Sequence, residues 1–351
     1  MKKITVEATH KYDVIIEKAS LKKAGEYMRS CIKPCKCLIV SDDNVAPLYM
    51  DDVRTSLEKN GYAAECYVIE HGEQSKNLAS FGKILNYLAE NHFTRSDAVV
   101  ALGGGVVGDL AGFCAASYMR GIDYVQLPTS LLAAVDSSVG GKTAVDLGCG
   151  KNLAGAFHQP KLVLCDYGTL ESLPKSFFAD GMAEVIKYGF IGDERLIEIL
   201  EGDISDKMED VIARCVEKKR DIVGEDEFEN GVRKLLNFGH TIGHAVELST
   251  NYTLPHGHAV AIGMHIMTNA AVKSGKCNDE CLLRLDALLD KYGLPRSCDI
   301  DVHTLFEAAK SDKKRSGGSI KIVVPDRLAG CNIEKIEIDA LEKIIALGTD
   351  N

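Results

Sequence analysis

The sequence predicts an α/β fold in two domains, a parallel-sheet domain over residues 1–170 and a helical domain over residues 171–351. Two observations carry this prediction. Short apolar segments alternate with segments of helical spacing in the first half, whereas the periodicity is nearly all helical from Ser176 onward. A glycine-rich turn also links one apolar segment of the first half to a helix. The first domain is therefore expected to be Rossmann-like and to bind a nucleotide.

The apolar segments of the first half predict the strands of a mostly parallel sheet. These segments are Cys37–Ser41, Ala64–Ile69, Ala98–Leu102, Tyr124–Leu127 and Leu162–Cys165. Val53–Asn60 and Phe81–Asn91 lie between them and have helical spacing. Strands that alternate with helices form a parallel sheet with helices on both faces. Ligands of such sheets bind beyond the carboxyl ends of the strands.

The second half predicts a helical domain with one late strand, Ile320–Val324, suited to a hairpin. The predicted helices are Phe177–Tyr188, Asp193–Leu200, Met208–Val223, Leu235–Leu248, Ala259–Ser274, Glu280–Tyr292 and His303–Lys310. No repeat or low-complexity linker separates the halves. We expect the active site in a cleft between the two domains.

Composition narrows the class of protein. The 351 residues are 46% hydrophobic and 26% charged, as expected of a globular chain, and the net charge of −10 argues against a nucleic-acid binder. No apolar run reaches the roughly 20 residues that span a bilayer. The twelve cysteines are scattered, and no secretion signal opens the chain. We expect reduced thiols and a cytoplasmic location, without nucleic-acid or membrane partners.

A glycine-rich turn follows the predicted strand Ala98–Leu102. Gly103-Gly104-Gly105 precede a helical segment, and strand, glycine turn and helix can cradle a phosphate with backbone N–H groups. The spacing is not that of the G-x-G-x-x-G fingerprint, so a purely structural turn is an equal alternative. Glu73 and Lys76 follow another strand, where they could hold a ribose or a phosphate.

Three segments of the second half contain side chains that bind metals. Glu184 lies among apolar residues, His240 and His244 lie four residues apart on one helix face, and His256 and His258 follow Pro255. Two histidines and one carboxylate form a catalytic zinc site. Spacing alone favours His240 with His244 and does not decide which histidines bind. A single histidine on an apolar helix is more often a core residue, but four within nineteen residues favour a metal site.

Basic residues recur in apolar or glycine-rich segments of both halves. The set is Arg120, Lys142, Lys151, Lys187, Lys219, Arg233, Lys313 and Lys314. Any one lysine is more often a solvated surface residue. As a set they indicate a substrate with a phosphate or carboxylate group.

Seven segments together resemble the 3-dehydroquinate synthase family, from about residue 40 to about residue 325. They are Gly103–Phe113, Arg120-Gly121, Leu127–Ala133, Asp136–Asp146, Gly150–Phe157, Gly181–Tyr188 and Leu235–Glu247. Each motif alone is moderately specific, whereas seven in the family's order are highly specific.

The resemblance implies NAD and zinc as cofactors, with cobalt as an alternative metal. The implied metal ligands are Glu184, His240 and His256, with His244 as a hydrogen-bonding group in the active site. The implied substrate residues are Arg120, Asp136, Lys142, Lys151, Asn152, Lys187, Lys219, Arg233, Asn237, His244 and Lys313. The implied NAD contacts are Asp42, Asn44, Glu73, Lys76, Gly104, Gly105, Val106, Asp109, Thr129, Ser130, Lys142, Lys151, Thr169 and Ser172.

Two further features follow from the resemblance. In this family an arginine like Arg120 reaches the substrate phosphate of a neighbouring subunit, which implies a homodimer. His258 stands where the family usually has a glutamate, so it could compete with His256 for the metal.

The implied reaction converts 3-deoxy-D-arabino-heptulosonate 7-phosphate to 3-dehydroquinate and phosphate, a lyase step of the shikimate pathway to chorismate and aromatic amino acids. Transient oxidation at C5 acidifies C6, phosphate leaves, the ketone is reduced again, and the opened ring closes by an aldol step. Another sugar-phosphate cyclase, such as a 2-deoxy-scyllo-inosose or valiolone synthase, is one alternative. A metal-dependent polyol dehydrogenase that releases NADH is a second, and a metal-binding protein without catalysis is a third.

Overall fold

The structure, a computed structural model, describes residues 1–312 and 318–349. The chain divides into two compact units. Unit 1 comprises Met1–Pro174 and Met208–Phe228, and unit 2 comprises Lys175–Lys207 and Glu229–Asn351. None of the helices in the described ranges combines the length and apolar character needed to cross a bilayer.

Strands dominate the first half of the chain and helices the second. The strands are β1 (Lys2–Val6), β2 (Tyr12–Ile16), β3 (Lys36–Asp42), β4 (Ala63–Ile69), β5 (Ala98–Gly103), β6 (Asp123–Pro128), β7 (Lys142–Leu147), β8 (Gly150–Phe157), β9 (Leu162–Cys165), β10 (Ser319–Arg327) and β11 (Gly330–Glu337). The helices are α1 (Ala24–Met28), α2 (Ala46–Lys59), α3 (Leu78–Glu90), α4 (Gly105–Ser117), α5 (Lys175–Phe190), α6 (Glu194–Glu201), α7 (Met208–Glu225), α8 (His240–Ser249), α9 (His256–Lys273), α10 (Asp279–Lys291), α11 (Val302–Asp312) and α12 (Ala340–Gly348).

Unit 1 is built on a seven-stranded sheet with the order β1-β2-β9-β6-β5-β3-β4. All neighbouring strands in it are parallel except β1 and β2. Successive side chains of β3 alternate between two apolar clusters because side chains of a strand point to opposite faces. Ile39 packs in the cluster that contains Val53 and Leu57 of α2, whereas Leu38 packs in the cluster that contains Leu110 of α4. Helices therefore cover both faces, as predicted.

Unit 2 is helical apart from the antiparallel hairpin β10–β11. The predicted helix Leu235–Leu248 is wrong in one respect. A 3-10 turn, Val232–Asn237, precedes α8, and Gly239 separates the two with a φ of 78°. A Cβ on Gly239 would lie 2.5 Å from Met264 Cγ of α9, so close packing requires glycine there. The break makes His240 the first residue of α8.

Helix α7 returns to unit 1, where it packs against β1 and β2. The sequence prediction placed this segment in the second domain, because a helical period does not reveal which core a helix covers. The predicted division after residue 170 and the predicted cleft between the domains stay predictions.

Candidate active site

Three predicted metal ligands meet in unit 2, each at a defined place in a helix. Glu184 lies within α5 and is fully buried, with 0% of its side chain exposed. His240 and His256 are the first residues of α8 and α9. Helix starts position both imidazoles, because the chain enters α8 through Gly239 and α9 through Pro255.

The donor atoms of these three residues all lie within 4.8 Å of one another. Glu184 Oε1 is 3.4 Å from His240 Nε2 and 3.3 Å from His256 Nε2. The two imidazole rings are 5.3 Å apart at their centres. One carboxylate and two imidazoles that converge in this way are the donor set of a catalytic zinc site.

The electrostatics of Glu184 fit a bound cation. No described residue donates a hydrogen bond of regular geometry to either of its buried oxygens, although Lys187 forms an ion pair with it. Burial alone would raise the pKa of Glu184, but Lys187 and His240 outweigh burial and hold it well below its ordinary value. The carboxylate is therefore ionised and faces two imidazole nitrogens, an arrangement that suits a divalent metal.

The two predicted histidine ligands differ in their protonation. Burial lowers the pKa of His240, which keeps its imidazole neutral and its lone pair available. Burial acts in the same direction on His256, but the nearby carboxylates of Glu184 and Glu247 raise its pKa to about 10. A metal at His256 Nε2 therefore competes with a proton held at the same atom.

The remaining two histidines of the cluster have other surroundings. The His244 ring lies 5.5 Å from the His240 ring and 6.0 Å from the His256 ring, next to the donor set. His258 accompanies Asp180, whose Oδ1 is 3.1 Å from the His258 backbone N and 3.2 Å from its Nδ1. Within the described ranges, His258 belongs to no group of three convergent metal donors. The arrangement does not favour His258 as a competitor for the metal.

Gly257, between His256 and His258 of α9, is expected to tolerate no side chain. A Cβ there would lie 1.9 Å from the backbone oxygen of Asp180, so Gly257→Ala must move α5 or α9. We expect a loss of about 1–3 kcal/mol in the free energy of unfolding, measured in urea. Gly82→Ala in α3 is the matched control, since a Cβ there meets nothing within 4 Å. A Gly257→Ala protein as stable as the control would contradict this packing.

The predicted anion-binding residues of unit 2 lie close to the donor set in sequence and are largely buried. Lys187 is one turn from Glu184 and 1% exposed, and Arg233 is also 1% exposed. Asn237 Nδ2 donates to Glu229 Oε1 over 2.7 Å. Cationic and amide side chains near the donor set fit the predicted role in binding an acidic substrate. The predicted Lys313 and Lys314 lie outside the described residues.

The predicted anion-binding residues of unit 1 form two groups. Lys219 of α7 forms an ion pair with Asp136 and donates to its backbone oxygen over 2.7 Å. Lys142 opens β7, whereas Lys151 and Asn152 lie in β8, its hairpin partner. Asn152 has a φ of 55°, and its backbone N donates to Asp146 Oδ1 over 2.8 Å.

Arg120 lies in a turn of unusual backbone conformation. Met119, Arg120 and Gly121 have φ values of 52°, 69° and 117°, and Arg120 is exposed. Consecutive positive φ values in residues other than glycine cost free energy and often mark functional positions. The turn ends α4 and displays the guanidinium at the surface of unit 1.

Most residues predicted to contact NAD lie at one edge of the unit 1 sheet, whereas the predicted contacts Lys142 and Lys151 lie in the separate β7–β8 hairpin. Strands β4, β3, β5, β6 and β9 are neighbours, and their carboxyl ends share that edge. Each of these strands ends in, or is followed by, predicted NAD contacts. They are Glu73 and Lys76 after β4, Asp42 and Asn44 at the end of β3, Gly104, Gly105, Val106 and Asp109 after β5, Thr129 and Ser130 after β6, and Thr169 and Ser172 after β9. Thr129 N donates to Gly103 O over 3.0 Å, and Thr169 Oγ1 to Thr129 O over 3.4 Å.

Lys76 is the centre of a charge network at this edge. It is 4% exposed, and its Nζ lies 2.8 Å from Glu73, 3.3 Å from Asp109 and 3.8 Å from Asp146. Burial alone would lower the pKa of Lys76, but Asp109 and Glu73 raise it above its ordinary value. Burial raises the pKa of Asp109 to about 6 in spite of Lys76. The network lies at the edge of the sheet where NAD is predicted to bind.

Sequence reasoning missed four acidic residues of these clusters. Asp146 joins the Lys76 network, Asp180 contacts His258, Glu229 contacts Asn237, and Glu247 contacts His256. Asp146 and Glu247 are the last residues of two segments that resemble the family, Asp136–Asp146 and Leu235–Glu247, and their place in these segments could have indicated a role. Asp180 and Glu229 had none, because Asp180 meets His258 only where α5 and α9 pack together, and Glu229 lies in an irregular segment before the 3-10 turn that contains Asn237.

The segments that carry these clusters match the sequence models of one known family. Residues 66–180 match the sequence model described as 3-dehydroquinate synthase N-terminal, and residues 181–315 match that described as 3-dehydroquinate synthase C-terminal. The chain belongs to the 3-dehydroquinate synthase family. A curated 3-dehydroquinate synthase from Clostridium kluyveri is 42% identical over 346 residues, 96% of each chain. The predicted resemblance and the predicted enzyme class, a lyase, are confirmed.

Solved structures support the fold. A 2-deoxy-scyllo-inosose synthase complexed with carbaglucose-6-phosphate, NAD+ and Co2+ superposes with a TM-score of 0.89 at 24% identity, covering 98% of this chain and 99% of that one. A 2-epi-5-epi-valiolone synthase from Streptomyces hygroscopicus, with NAD+ and Zn2+ bound, has a TM-score of 0.87 at 24% identity and covers 99% of both chains. At this identity the likeness establishes the fold alone, and the predicted α/β fold with a helical C-terminal region is confirmed.

Proposed function

We propose that this chain converts 3-deoxy-D-arabino-heptulosonate 7-phosphate to 3-dehydroquinate and phosphate, in the pathway to chorismate and aromatic amino acids. The observation that carries the proposal is the match to both domains of the family, with 42% identity to a curated relative of that name. The convergent donors Glu184, His240 and His256 support it chemically, because the reaction needs a Lewis acid. Zinc is the proposed metal, and cobalt accepts the same donors.

Unit 2 supplies the metal ligands and part of the anion-binding set. When bound, NAD supplies reversible hydride transfer, and the metal supplies Lewis-acid stabilisation of developing negative charge. Lys187 balances the charge of Glu184, which keeps a carboxylate ionised in a buried place. We propose that Arg233 and Asn237 hold acidic groups of the substrate, and that His244, beside the donor set, forms a hydrogen bond to it.

Unit 1 supplies the proposed cofactor site and the rest of the anion-binding set. The Lys76 network and the residues at the sheet edge are proposed to hold NAD. Lys142, Lys151 and Asn152 are proposed to bind substrate, as is Asp136, which Lys219 neutralises. Neutralisation matters because an unpaired carboxylate would repel a phosphorylated sugar acid.

The proposal includes a homodimer in which Arg120 serves the neighbour's substrate. The exposed turn of positive φ values supports this, because it places Arg120 at the surface of unit 1. A cytoplasmic location is also proposed. Among the described residues all twelve cysteines are free thiols, as in reducing compartments.

Mixing two impaired variants is expected to raise activity above that of either variant alone if Arg120 acts across the dimer. Arg120→Ala should cost about 2 kcal/mol of transition-state stabilisation, or roughly 30-fold in kcat/KM, since it removes a charge-assisted contact to phosphate. Lys187→Ala supplies the second impaired protein. A mixed dimer contains one site with both residues intact. If subunits exchange and activity does not rise, Arg120 serves its own chain.

Product analysis tests the proposed function. Purified protein is incubated with the heptulosonate phosphate, NAD and zinc, and the products are followed by NMR spectroscopy and a phosphate assay. We expect equimolar phosphate and 3-dehydroquinate. Glucose 6-phosphate and sedoheptulose 7-phosphate serve as comparison substrates, and turnover of either in place of the heptulosonate phosphate would identify another cyclase.

A further inference from the structure

We propose that Glu247 is a positioning residue that orients His256 and fixes its tautomer for the metal. This inference rests on the proposed metal site and extends it by one residue. Glu247 is 3% exposed, and its Oε2 lies 3.1 Å from His256 Nδ1. The other ring nitrogen of His256 lies 3.3 Å from Glu184 Oε1. The two nitrogens of one imidazole thus face two different carboxylates.

The helix geometry explains how Glu247 reaches this place. His240 and Glu247 are seven residues apart on α8, which is two turns, so they share one face of the helix. That face packs against α9, which carries His256 as its first residue. One helix therefore brings both a metal ligand and the partner of another ligand to the same cluster.

The chemistry of the contact determines which nitrogen can bind a metal. An ionised carboxylate only accepts hydrogen bonds, so His256 Nδ1 must donate its proton to Glu247. A neutral imidazole carries one proton, which leaves a lone pair on Nε2, the atom that faces Glu184. Hydrogen bonding to a carboxylate also makes the opposite nitrogen a stronger donor to a metal.

His240 shows the same arrangement with a weaker partner. Its Nδ1 lies 3.1 Å from the backbone oxygen of Phe238, which leaves Nε2 directed at Glu184. Both histidines therefore present Nε2 to the same carboxylate oxygen. The charged partner belongs to His256, whose side chain is 32% exposed, whereas that of His240 is 11% exposed. A less enclosed ring gains more from a partner that fixes its orientation.

A rival interpretation makes Glu247 a metal ligand. His244, Glu247 and His256 also place one donor atom each within 4.8 Å of one another. Two metals would then share the His256 ring, one at each nitrogen. The number of metal ions bound by each chain distinguishes the two interpretations.

The test compares metal binding by Glu247→Gln and by a matched control, Asp286→Asn. Asp286 Oδ1 of α10 lies 2.7 Å from Nδ1 of His265 of α9, so the two form a second carboxylate–imidazole pair, nine residues along α9 from His256. Zinc affinity is measured without substrate by competition with a chelator, and the Co2+ form is examined by visible absorption. Thermal unfolding of the metal-free proteins checks folding.

We expect Glu247→Gln to bind one metal ion about 10- to 100-fold more weakly than the parent, with a changed Co2+ spectrum. Asp286→Asn should keep both properties. If Glu247→Gln does not fold, Glu247→Asp replaces it, with the same expected direction. A folded Glu247→Gln protein with the zinc affinity and the Co2+ spectrum of the parent would overturn the inference. A parent chain that binds two metal ions, with a Glu247→Gln chain that binds one, would also overturn it. Failure of the proposed reaction would leave these binding results unaffected.

Discussion

Glu184→Gln, His240→Ala and His256→Ala are each expected to lose the bound metal and nearly all activity. Each change removes one of three convergent donors, and Glu184 is also the only negative charge among them. Loss of a partner that merely orients a ligand costs about 10- to 100-fold in metal affinity, so loss of the ligand itself should exceed about 100-fold. Metal content after dialysis, measured by atomic spectroscopy, checks this expectation.

His244→Ala is the control for this series. It removes a neighbouring imidazole of the same chemistry, and we expect metal content near that of the parent with slow turnover. His258→Ala should also retain the metal, because His258 contacts Asp180. A protein that loses its metal through His258→Ala but keeps it through His256→Ala would show that the ligands are assigned incorrectly.

Lys76→Met is expected to destabilise unit 1 and to weaken NAD binding. The change leaves Glu73, Asp109 and Asp146 close together without the ammonium that lies among them. Removing one partner of a buried ion pair costs about 3–5 kcal/mol. Chemical denaturation measures the stability, and titration with NAD measures the affinity.

Two further variants isolate the cause of the Lys76→Met effect. Lys83→Met changes an exposed lysine of α3 and should leave stability within about 0.5 kcal/mol of the parent. Lys76→Met combined with Asp109→Asn removes one of the uncompensated charges and should recover part of the loss. The free energies of unfolding lost through Lys76→Met and through Asp109→Asn alone would add up in the double variant if the two residues were independent. Such additivity would contradict the network.

The sheet of unit 1 was the most predictable part of the fold. Its buried strands, such as Ala98–Gly103, are short continuous apolar runs bounded by glycine or polar residues. A run of that kind and length is typical of a fully buried strand. Its helices Ala46–Lys59 and Leu78–Glu90 both begin earlier than the sequence predicted. Helix ends depend on capping and on local packing, which a periodic pattern does not contain.

The residue types of the predicted metal site could be read from the sequence, but which two histidines come together could not be read from their spacing. Spacing favoured His240 with His244, whereas the structure combines His240 with His256, from another helix. Gly239 is the physical reason, because it starts α8 at His240 and lets α9 approach closely. The resemblance to the family implied the pair that the structure brings together. The contact of Glu247 with His256 depends on the packing of α8 against α9, which spacing along one helix does not reveal.

The number of turnovers supported by each NAD molecule tests the proposed function most directly. The internal oxidation at C5 is followed by reduction of the same substrate, so the cofactor should end each cycle as NAD. With NAD far below the concentration of the heptulosonate phosphate, we expect complete release of phosphate and no lasting absorbance from reduced nicotinamide. Accumulation of one NADH for each substrate consumed, with turnover limited by the NAD supplied, would contradict the proposed function and indicate a dehydrogenase.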